Sequence, residues 1–169
     1  MELVFPTIGL KEAALEYISD YVKHGEIHIH GSSSLLQAVS YESWLEKIIW
    51  NHTECTKDCV TGEVYFAMIE DSIVGTIAIR HYLNDNLLNS GGHIGYGVRP
   101  SKRRNGYGSQ MLALALEKCK TLGMAKVLIT CDKNNIASER TALKNGAVFE
   151  NEFKEEDGNT IKRFWINVM

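Results

Sequence analysis

The stretch from His93 to Ala115, HIGYGVRPSKRRNGYGSQMLALA, constrains the fold of this chain more than any other. It opens with apolar residues that alternate with small or polar ones, a pattern typical of a β-strand. Pro100 ends this strand, because proline has no N–H to donate to a neighbouring strand. A basic loop with two glycines follows, and the apolar residues beyond it recur at helical spacing. These patterns predict a strand, a glycine loop and a helix, in that order.

The glycine loop has the composition of a phosphate-binding site. The first N–H groups of a helix have no partners within the helix, and they lie at the positive end of its dipole. Gly106 and Gly108 have no Cβ, so a phosphate can approach the backbone closely. Arg103 and Arg104 can add charge-assisted hydrogen bonds. We therefore predict that this loop binds a pyrophosphate.

Two common nucleotide motifs do not fit this loop. A dinucleotide-binding fingerprint needs a third glycine, but that place falls on Met111 when counted from Gly106, and on Pro100 when counted from Gly95. The P-loop pattern is absent from the whole sequence. An unrelated nucleotide-phosphate binder stays open as an alternative, and tight binding of ATP would support it.

The composition is that of an ordinary globular protein. The chain has 169 residues, of which 44% are hydrophobic and 23% are charged, so we expect a single domain over residues 1–169. The net charge of −3 argues against nucleic acid and anionic membranes as partners. We find neither a membrane-spanning run nor a basic signal-peptide region, and we expect a cytoplasmic protein.

The cysteines indicate thiols and no metal centre. Cys119 falls on the apolar face of the helix after the loop, and Cys131 ends an apolar strand, so both are predicted to be core residues. Cys55 and Cys59 lie near His52 and could indicate zinc, but no second pair at finger spacing completes the site. We predict a polar loop there and no metal.

Periodicity predicts eleven elements in the order β-α-α-β-β-β-α-β-α-β-β. Ser40 is predicted to cap the second helix, and Gly123 and Gly146 to end the third and fourth. A two-residue turn at Asp71-Ser72 predicts an antiparallel hairpin. The predicted strands are 2–5, 63–70, 73–82, 93–99, 126–131, 147–153 and 161–168, and the first and last helices are 10–22 and 136–144.

Two blocks of this sequence resemble the GNAT superfamily of acetyltransferases. Arg103-x-x-Gly106-x-Gly108 is similar to the acyl-coenzyme A signature [Q/R]-x-x-G-x-[G/A]. About 25 residues later, Asn135-Ile136-Ala137-Ser138 through Asn145-Gly146-Ala147 resembles the N-x-x-[AS]…G-[FA] block. The element order resembles that of the family over most of the chain. The resemblance implies an α/β fold in which helices flank a central, mostly antiparallel sheet with a splayed parallel pair.

The resemblance also implies a binding site for acetyl-CoA between strands 93–99 and 126–131. A bulge in the first strand would help the two strands to splay, and Gly95 and Gly97 fit either this bulge or close packing. Asn135 fits either the cofactor site or an ordinary helix cap. The implied cofactor-binding residues are Val98, Arg99, Arg103, Arg104, Asn105, Gly106, Tyr107, Gly108, Ser109, Asn135 and Ser138.

The catalytic residues are harder to predict, because the sequence departs from the family pattern. Many members carry a tyrosine seven residues after the asparagine that opens the second block. Here that asparagine is Asn135, and the position of the tyrosine is occupied by Ala142. His93 and Tyr96 are the candidate catalytic residues on the strand that often carries the general base. A ping-pong route through Cys131 is open in principle, although no base is adjacent to it in sequence.

The function implied by the resemblance is direct transfer of an acetyl group from acetyl-CoA to a primary amine. The acceptor could be a small molecule or a protein, and we expect no metal cofactor. The alternative is a non-catalytic acyl-CoA-binding module of the same fold, which Ala142 favours. Strands predicted near the C-terminus would have exposed edges, so a homodimer is a further expectation.

Overall fold

The structure is a computed structural model that describes residues 1–54 and 60–169. Cys55 and Cys59 lie outside the described residues, so the prediction for that loop stays a prediction. Apart from short helical turns, the described residues form the predicted element order. The elements are β1 (Glu2–Val4), α1 (Lys11–Lys23), α2 (Tyr41–Thr53), β2 (Gly62–Ile69), β3 (Ser72–Arg80), β4 (Ile94–Val98), α3 (Tyr107–Thr121), β5 (Lys126–Asp132), α4 (Ile136–Lys144), β6 (Val148–Lys154) and β7 (Thr160–Asn167).

The strands form two antiparallel sheets that meet at β4 and β5. The first sheet has the order β1-β2-β3-β4, and the second has the order β5-β7-β6. The backbone N–H of His93 donates to the Leu128 carbonyl at 2.8 Å, and the Leu128 N–H donates to His93 Nδ1 at 2.9 Å. No ladder joins β4 to β5 within the described part of the chain. The predicted splay is thus confirmed, and it leaves a cleft between two sheet edges.

The predicted bulge in β4 is wrong. The ladder with β3 runs without a shift of register from the pair of Gly75 and Val98 to the pair of Ile79 and Ile94. Gly97 instead permits a close approach of the α1–α2 connection, since a Cβ there would lie 2.8 Å from the His30 carbonyl oxygen. Close packing therefore accounts for this glycine, and the strands splay without a bulge.

Two apolar layers cover the first sheet. Helix α3 packs on one face through residues that are completely buried, and helices α1 and α2 pack on the other face. Ser40 caps α2 as predicted, because its side chain accepts the Ser43 N–H. The residues at the centre of these layers are Met111, Leu112, Ala115 and Cys119 on the α3 side, and Tyr17, Tyr21, Trp44, Ile48 and Phe66 on the other.

The hairpin turn differs from its prediction by one residue. The turn is formed by Glu70 and Asp71, and β3 begins at Ser72. Glu70 adopts a φ of 53°, which is the left-handed conformation that a tight turn requires. Across the described residues, none of the helices has the length and apolar character needed to cross a membrane.

Candidate functional site

The N-terminus of α3 is open at the predicted phosphate loop. Gly106 is the N-cap residue with a φ of 76°, and no side chain among the described residues caps this helix, whereas Ser40 and Asn135 cap α2 and α4. A Cβ on Gly106 would point into open space. Asn105 fixes the loop, because its amide donates to the carbonyls of Lys102 and Arg103 at 3.0 and 3.2 Å. The first N–H groups of α3 are therefore presented to a ligand at the positive end of the helix dipole.

A groove of about 390 Å³ adjoins this helix end. Sequence reasoning missed Lys144, a cation in the last turn of α4 that lines the groove. Its only sequence signal is a basic residue at a helix C-terminus, which is common for dipole reasons alone. The side chain of Asn145 donates to the carbonyls of Ser109 and Thr141 at 3.3 and 2.9 Å, and so ties α3 to α4. The lining residues are Asn105, Gly106, Ser109, Gln110, Ala113, Lys144 and Asn145.

Arg103 is held within the protein. Its guanidinium makes a bidentate ion pair with Glu26 at 2.6 and 2.8 Å, and Nε donates to the Val98 carbonyl at 3.2 Å. The hydrogen bond to Glu26 and its charge raise the pKa of Arg103. Arg104 is exposed, and the structure gives it no ion pair within residues 1–54 and 60–169. Arg104 is thus the better placed of the two arginines to supply a positive charge to a phosphate.

The side chain of Arg99 also makes ion pairs within the protein. Its buried guanidinium contacts Glu16 at 2.8 Å and Asp20 at 3.5 Å, both on α1. Its backbone N–H donates to the Val74 carbonyl at 2.8 Å. The side chain therefore points to α1 and joins that helix to the end of β4. A contact between Arg99 and the cofactor, which the resemblance implies, stays a prediction.

The outer edge of β4 faces the cleft. The hydrogen bonds of His93 and Arg99 to β3 fix the alternation of the ladder, which directs the backbone groups of Tyr96 and Val98 away from β3. The Val98 carbonyl accepts from the Tyr21 hydroxyl at 3.0 Å as well as from Arg103. The other outward groups are free of the β3 ladder, and an extended ligand in the cleft can hydrogen-bond to them as an added strand would.

Tyr96 reaches across the cleft to α4. Its hydroxyl lies 3.0 Å from Ser138 Oγ and donates to the Ser138 carbonyl at 3.3 Å. Burial raises the pKa of Tyr96, so its phenol is protonated at neutral pH. Burial likewise raises the pKa of Cys131, so its sulfur is a thiol rather than a reactive thiolate. Ala142 is completely buried in the core, and its methyl group has no proton to donate.

His93 lies where β4 and β5 meet, not in the open part of the cleft. Its Nδ1 accepts the Leu128 N–H, and its ring contacts Trp165 with the centroids 6.2 Å apart. Burial and the nearby charge of Arg80 lower the pKa of His93 to about 4. The ring is therefore neutral at physiological pH, and its acceptor nitrogen is already used by the backbone.

Asn135 acts as a helix cap in the structure. Its side-chain oxygen accepts the Ser138 N–H at 3.0 Å, at the first turn of α4. This confirms the capping interpretation. A contact between Asn135 and a cofactor stays a prediction.

Comparisons with known proteins agree with this geometry. The sequence profile of the family described as the acetyltransferase (GNAT) domain matches residues 12–148. No curated protein matches the sequence significantly. RimL, a ribosomal L7/L12 alpha-N-protein acetyltransferase solved with coenzyme A, is 15% identical with a TM-score of 0.70, and the alignment covers 98% of this chain and 92% of RimL.

Two other solved structures have the same fold. An acetyl transferase from Salmonella typhimurium that modifies the N-terminal serine of L7/L12 is 15% identical, with a TM-score of 0.70 and coverage of 98% and 93%. The microcin C7 self-immunity acetyltransferase MccE, solved with acetyl-CoA and AMP, is 16% identical, with a TM-score of 0.69 and coverage of 98% and 91%. The profile spans most of the chain. The open end of α3 and the splayed strands β4 and β5 are the features that the resemblance to this family implies. The chain therefore belongs to the GNAT acetyltransferase family.

Proposed function

We propose that this protein transfers an acetyl group from acetyl-CoA directly to a primary amine. The observation that carries the proposal is the open N-terminus of α3 beside a cleft between two sheet edges. The family match supports an acetyltransferase, and similar structures contain coenzyme A or acetyl-CoA. When it is bound, acetyl-CoA supplies an acetyl group activated as a thioester. A cytoplasmic location is part of the proposal, and the two described cysteines, both free thiols, are consistent with it.

The proposed cofactor-binding residues form two sets. One set would bind the pyrophosphate, and the other would line the cleft between the strands. The N–H groups of Tyr107, Gly108 and Ser109 would receive the pyrophosphate, and Arg104 and Lys144 would add positive charge. The outward backbone groups of β4 would hold the extended arm of the cofactor. Such fixed donors bind and orient the reacting group, which lowers the entropic part of the barrier.

Tyr96 is our candidate for the general acid. A thiolate leaves more readily when a proton is delivered to it, and the phenol of Tyr96 is protonated and lies in the cleft. This role would replace the tyrosine that the family places at the position of Ala142. Ser138 orients the phenol through the 3.0 Å contact between the two side chains.

The proposed transfer needs no acyl-enzyme. The raised pKa of Cys131 disfavours a thiolate nucleophile, so the amine itself would attack the acetyl carbon as the carbon–sulfur bond breaks. The leaving sulfur would take the proton of Tyr96, and the proton lost by the amine would return to Tyr96 through solvent. We assign His93 a positioning role, since it joins the two strands at the closed end of the cleft. The proposed acceptor is an amine of a small molecule or of a protein; two of the similar structures named above are acetyltransferases of the N-terminus of ribosomal protein L7/L12.

Calorimetric titration with acetyl-CoA tests the cofactor site. In Gly106→Asp, a carboxylate at the phosphate loop repels the pyrophosphate, and we expect at least a tenfold loss of affinity, or about 1.4 kcal/mol. Gly123→Asp is the matched control, because Gly123 has the same φ of 76° and the same open surroundings, at the other end of α3. Equal affinity of Gly106→Asp and wild type would contradict the assignment.

Turnover separates an enzyme from a binding module. We expect release of free thiol from acetyl-CoA in the presence of a panel of amines and N-terminal peptides. The non-catalytic alternative, which Ala142 favours, predicts binding of acetyl-CoA with no acetylated product for any acceptor. Mass spectrometry of the acceptors distinguishes the two.

A further inference from the structure

Three side chains with metal-binding atoms converge at the end of the first sheet. His52 lies in the last turn of α2, Glu63 is the second residue of β2, and His81 follows β3. His52 Nδ1 lies 3.6 Å from Glu63 Oε1, and His81 Nε2 lies 3.9 Å from the same oxygen. The three ligand atoms all lie within 4.8 Å of one another. Sequence spacing did not reveal this set, since the residues come from three separate elements.

One atom of this cluster is buried without a partner among the described residues. His81 Nε2 is inaccessible to solvent and makes no hydrogen bond to residues 1–54 or 60–169. The other ring nitrogen, Nδ1, lies 3.1 Å from Thr61 Oγ1, so that hydroxyl can accept the ring proton. This tautomer leaves a lone pair on Nε2 that faces Glu63. With the ring proton on Nδ1, the Nε2 lone pair faces a carboxylate oxygen 3.9 Å away, and a cation between the two atoms would stabilise this arrangement.

The carboxylate of Glu63 is also largely buried. Its side chain is only 10% exposed, and its ion-pair contacts within the described residues are to the two histidines. Its second oxygen, Oε2, accepts the Tyr65 hydroxyl at 2.6 Å. A hydrogen bond of this kind orients a metal-ligating carboxylate, as the Thr61 contact orients the ring of His81. Both ligands thus have the supporting contacts that metal sites use.

We propose that His52, Glu63 and His81 bind a divalent transition-metal ion, with Zn²⁺ as the preferred ion. Two imidazoles and one carboxylate are a known ligand set for zinc, with bonds of about 2.0–2.1 Å. In a tetrahedral site, such bonds separate neighbouring ligand atoms by about 3.3 Å. The two measured distances exceed this by less than 1 Å, and His52 is exposed enough to rotate inward.

The ion would stabilise the fold and would not take part in acetyl transfer. The β3–β4 ladder pairs Gly75 with Val98 and Ile79 with Ile94, so His81 lies at the opposite end of the sheet from the phosphate loop. A metal there ties the end of α2 to β2 and β3. The proposal is independent of the proposed function, and the expectation that transfer uses no metal cofactor is unaffected.

Direct metal titration tests the site. The full chain, stripped with a chelator, is titrated with Zn²⁺ by calorimetry and with Co²⁺, whose visible absorption reports on its ligands. We expect one ion per chain and a higher melting temperature when Zn²⁺ is present. His52→Ala and His81→Ala should each weaken binding by at least about tenfold. His52→Ala is the safer variant, because His52 is exposed and its loss leaves the core intact.

Matched controls decide where the metal binds. His28→Ala removes an exposed imidazole elsewhere, and it should leave the affinity for Zn²⁺ unchanged. Cys55→Ser with Cys59→Ser should also leave it unchanged. The proposal is overturned if the wild type binds no stoichiometric ion, if binding survives the loss of both His52 and His81, or if the cysteine variant abolishes it.

Discussion

At the scale of single residues, we propose that Tyr96 supplies the general acid that Ala142 cannot supply. The phenol of Tyr96 contacts Ser138 in the cleft, and burial keeps it protonated. In Tyr96→Phe, we expect kcat to fall by about 10²-fold with little change in the KM for acetyl-CoA, because only proton transfer is lost. Tyr41→Phe, which removes a hydroxyl bonded to the Thr7 carbonyl, is the control and should keep its kcat.

The pH dependence of the acetyl-transfer rate is a second test of Tyr96. A general acid must be protonated, so the rate through Tyr96 falls as pH rises through its raised pKa. This decline should be absent in Tyr96→Phe. An unchanged kcat in that variant would exclude Tyr96 as the acid.

His93 makes the stability of the protein depend on pH. Its pKa is about 4 in the folded protein, against 6.5 for an unperturbed histidine, so the unfolded chain binds the proton more tightly. The contribution is present above about pH 6.5 and is lost as pH falls towards 4, by about 3 kcal/mol in total. In His93→Gln, urea unfolding should show a smaller loss over this range than in wild type or in His28→Gln. Identical pH dependence in all three would contradict this prediction.

At the scale of elements, two glycines of β4 have different roles. A Cβ on Gly97 would lie 2.8 Å from the His30 carbonyl oxygen, whereas a Cβ on Gly95 would make an ordinary contact at 3.7 Å with Gly31. We expect Gly97→Ala to lower the free energy of unfolding by about 1–3 kcal/mol, because backbone must move to admit the methyl group. Gly95→Ala should change it by less than about 1 kcal/mol. Urea unfolding measures the free energy of unfolding of both variants. Equal effects would contradict the prediction, because they would show that the α1–α2 connection can move at little cost in free energy.

At the scale of the whole molecule, β6 is an exposed edge. It is the outer strand of the order β5-β7-β6, and its Val148 and Phe149 are 69% and 50% exposed. A second copy could pair with this edge, so we predict a homodimer that is weakened by Val148→Lys. Val39→Lys is the control, since Val39 is fully exposed in the α1–α2 connection. Light scattering across a concentration series measures the mass, and a monomer at every concentration would contradict the prediction.

Much of the fold could be predicted because its signals are local. The bounds of α4, the cap at Ser40 and the glycine ends of α3 and α4 were all readable from short stretches. The phosphate loop was readable for the same reason, since a strand, two glycines and a helix follow one another. The turn at Glu70 and the regular register of β4 were missed, because turn position and bulges depend on pairing with another strand.

The sequence by itself determined the elements, their order and the glycine loop at the N-terminus of α3, because each depends on residues a few positions apart. The tertiary structure decided which charges are already used, since Arg103 meets Glu26 and Arg99 meets Glu16 only after the chain folds. It also decided that His93 is buried against Leu128 and that His52, Glu63 and His81 converge. Contacts between distant residues are set by how helices and strands pack, and no periodicity along the chain records them.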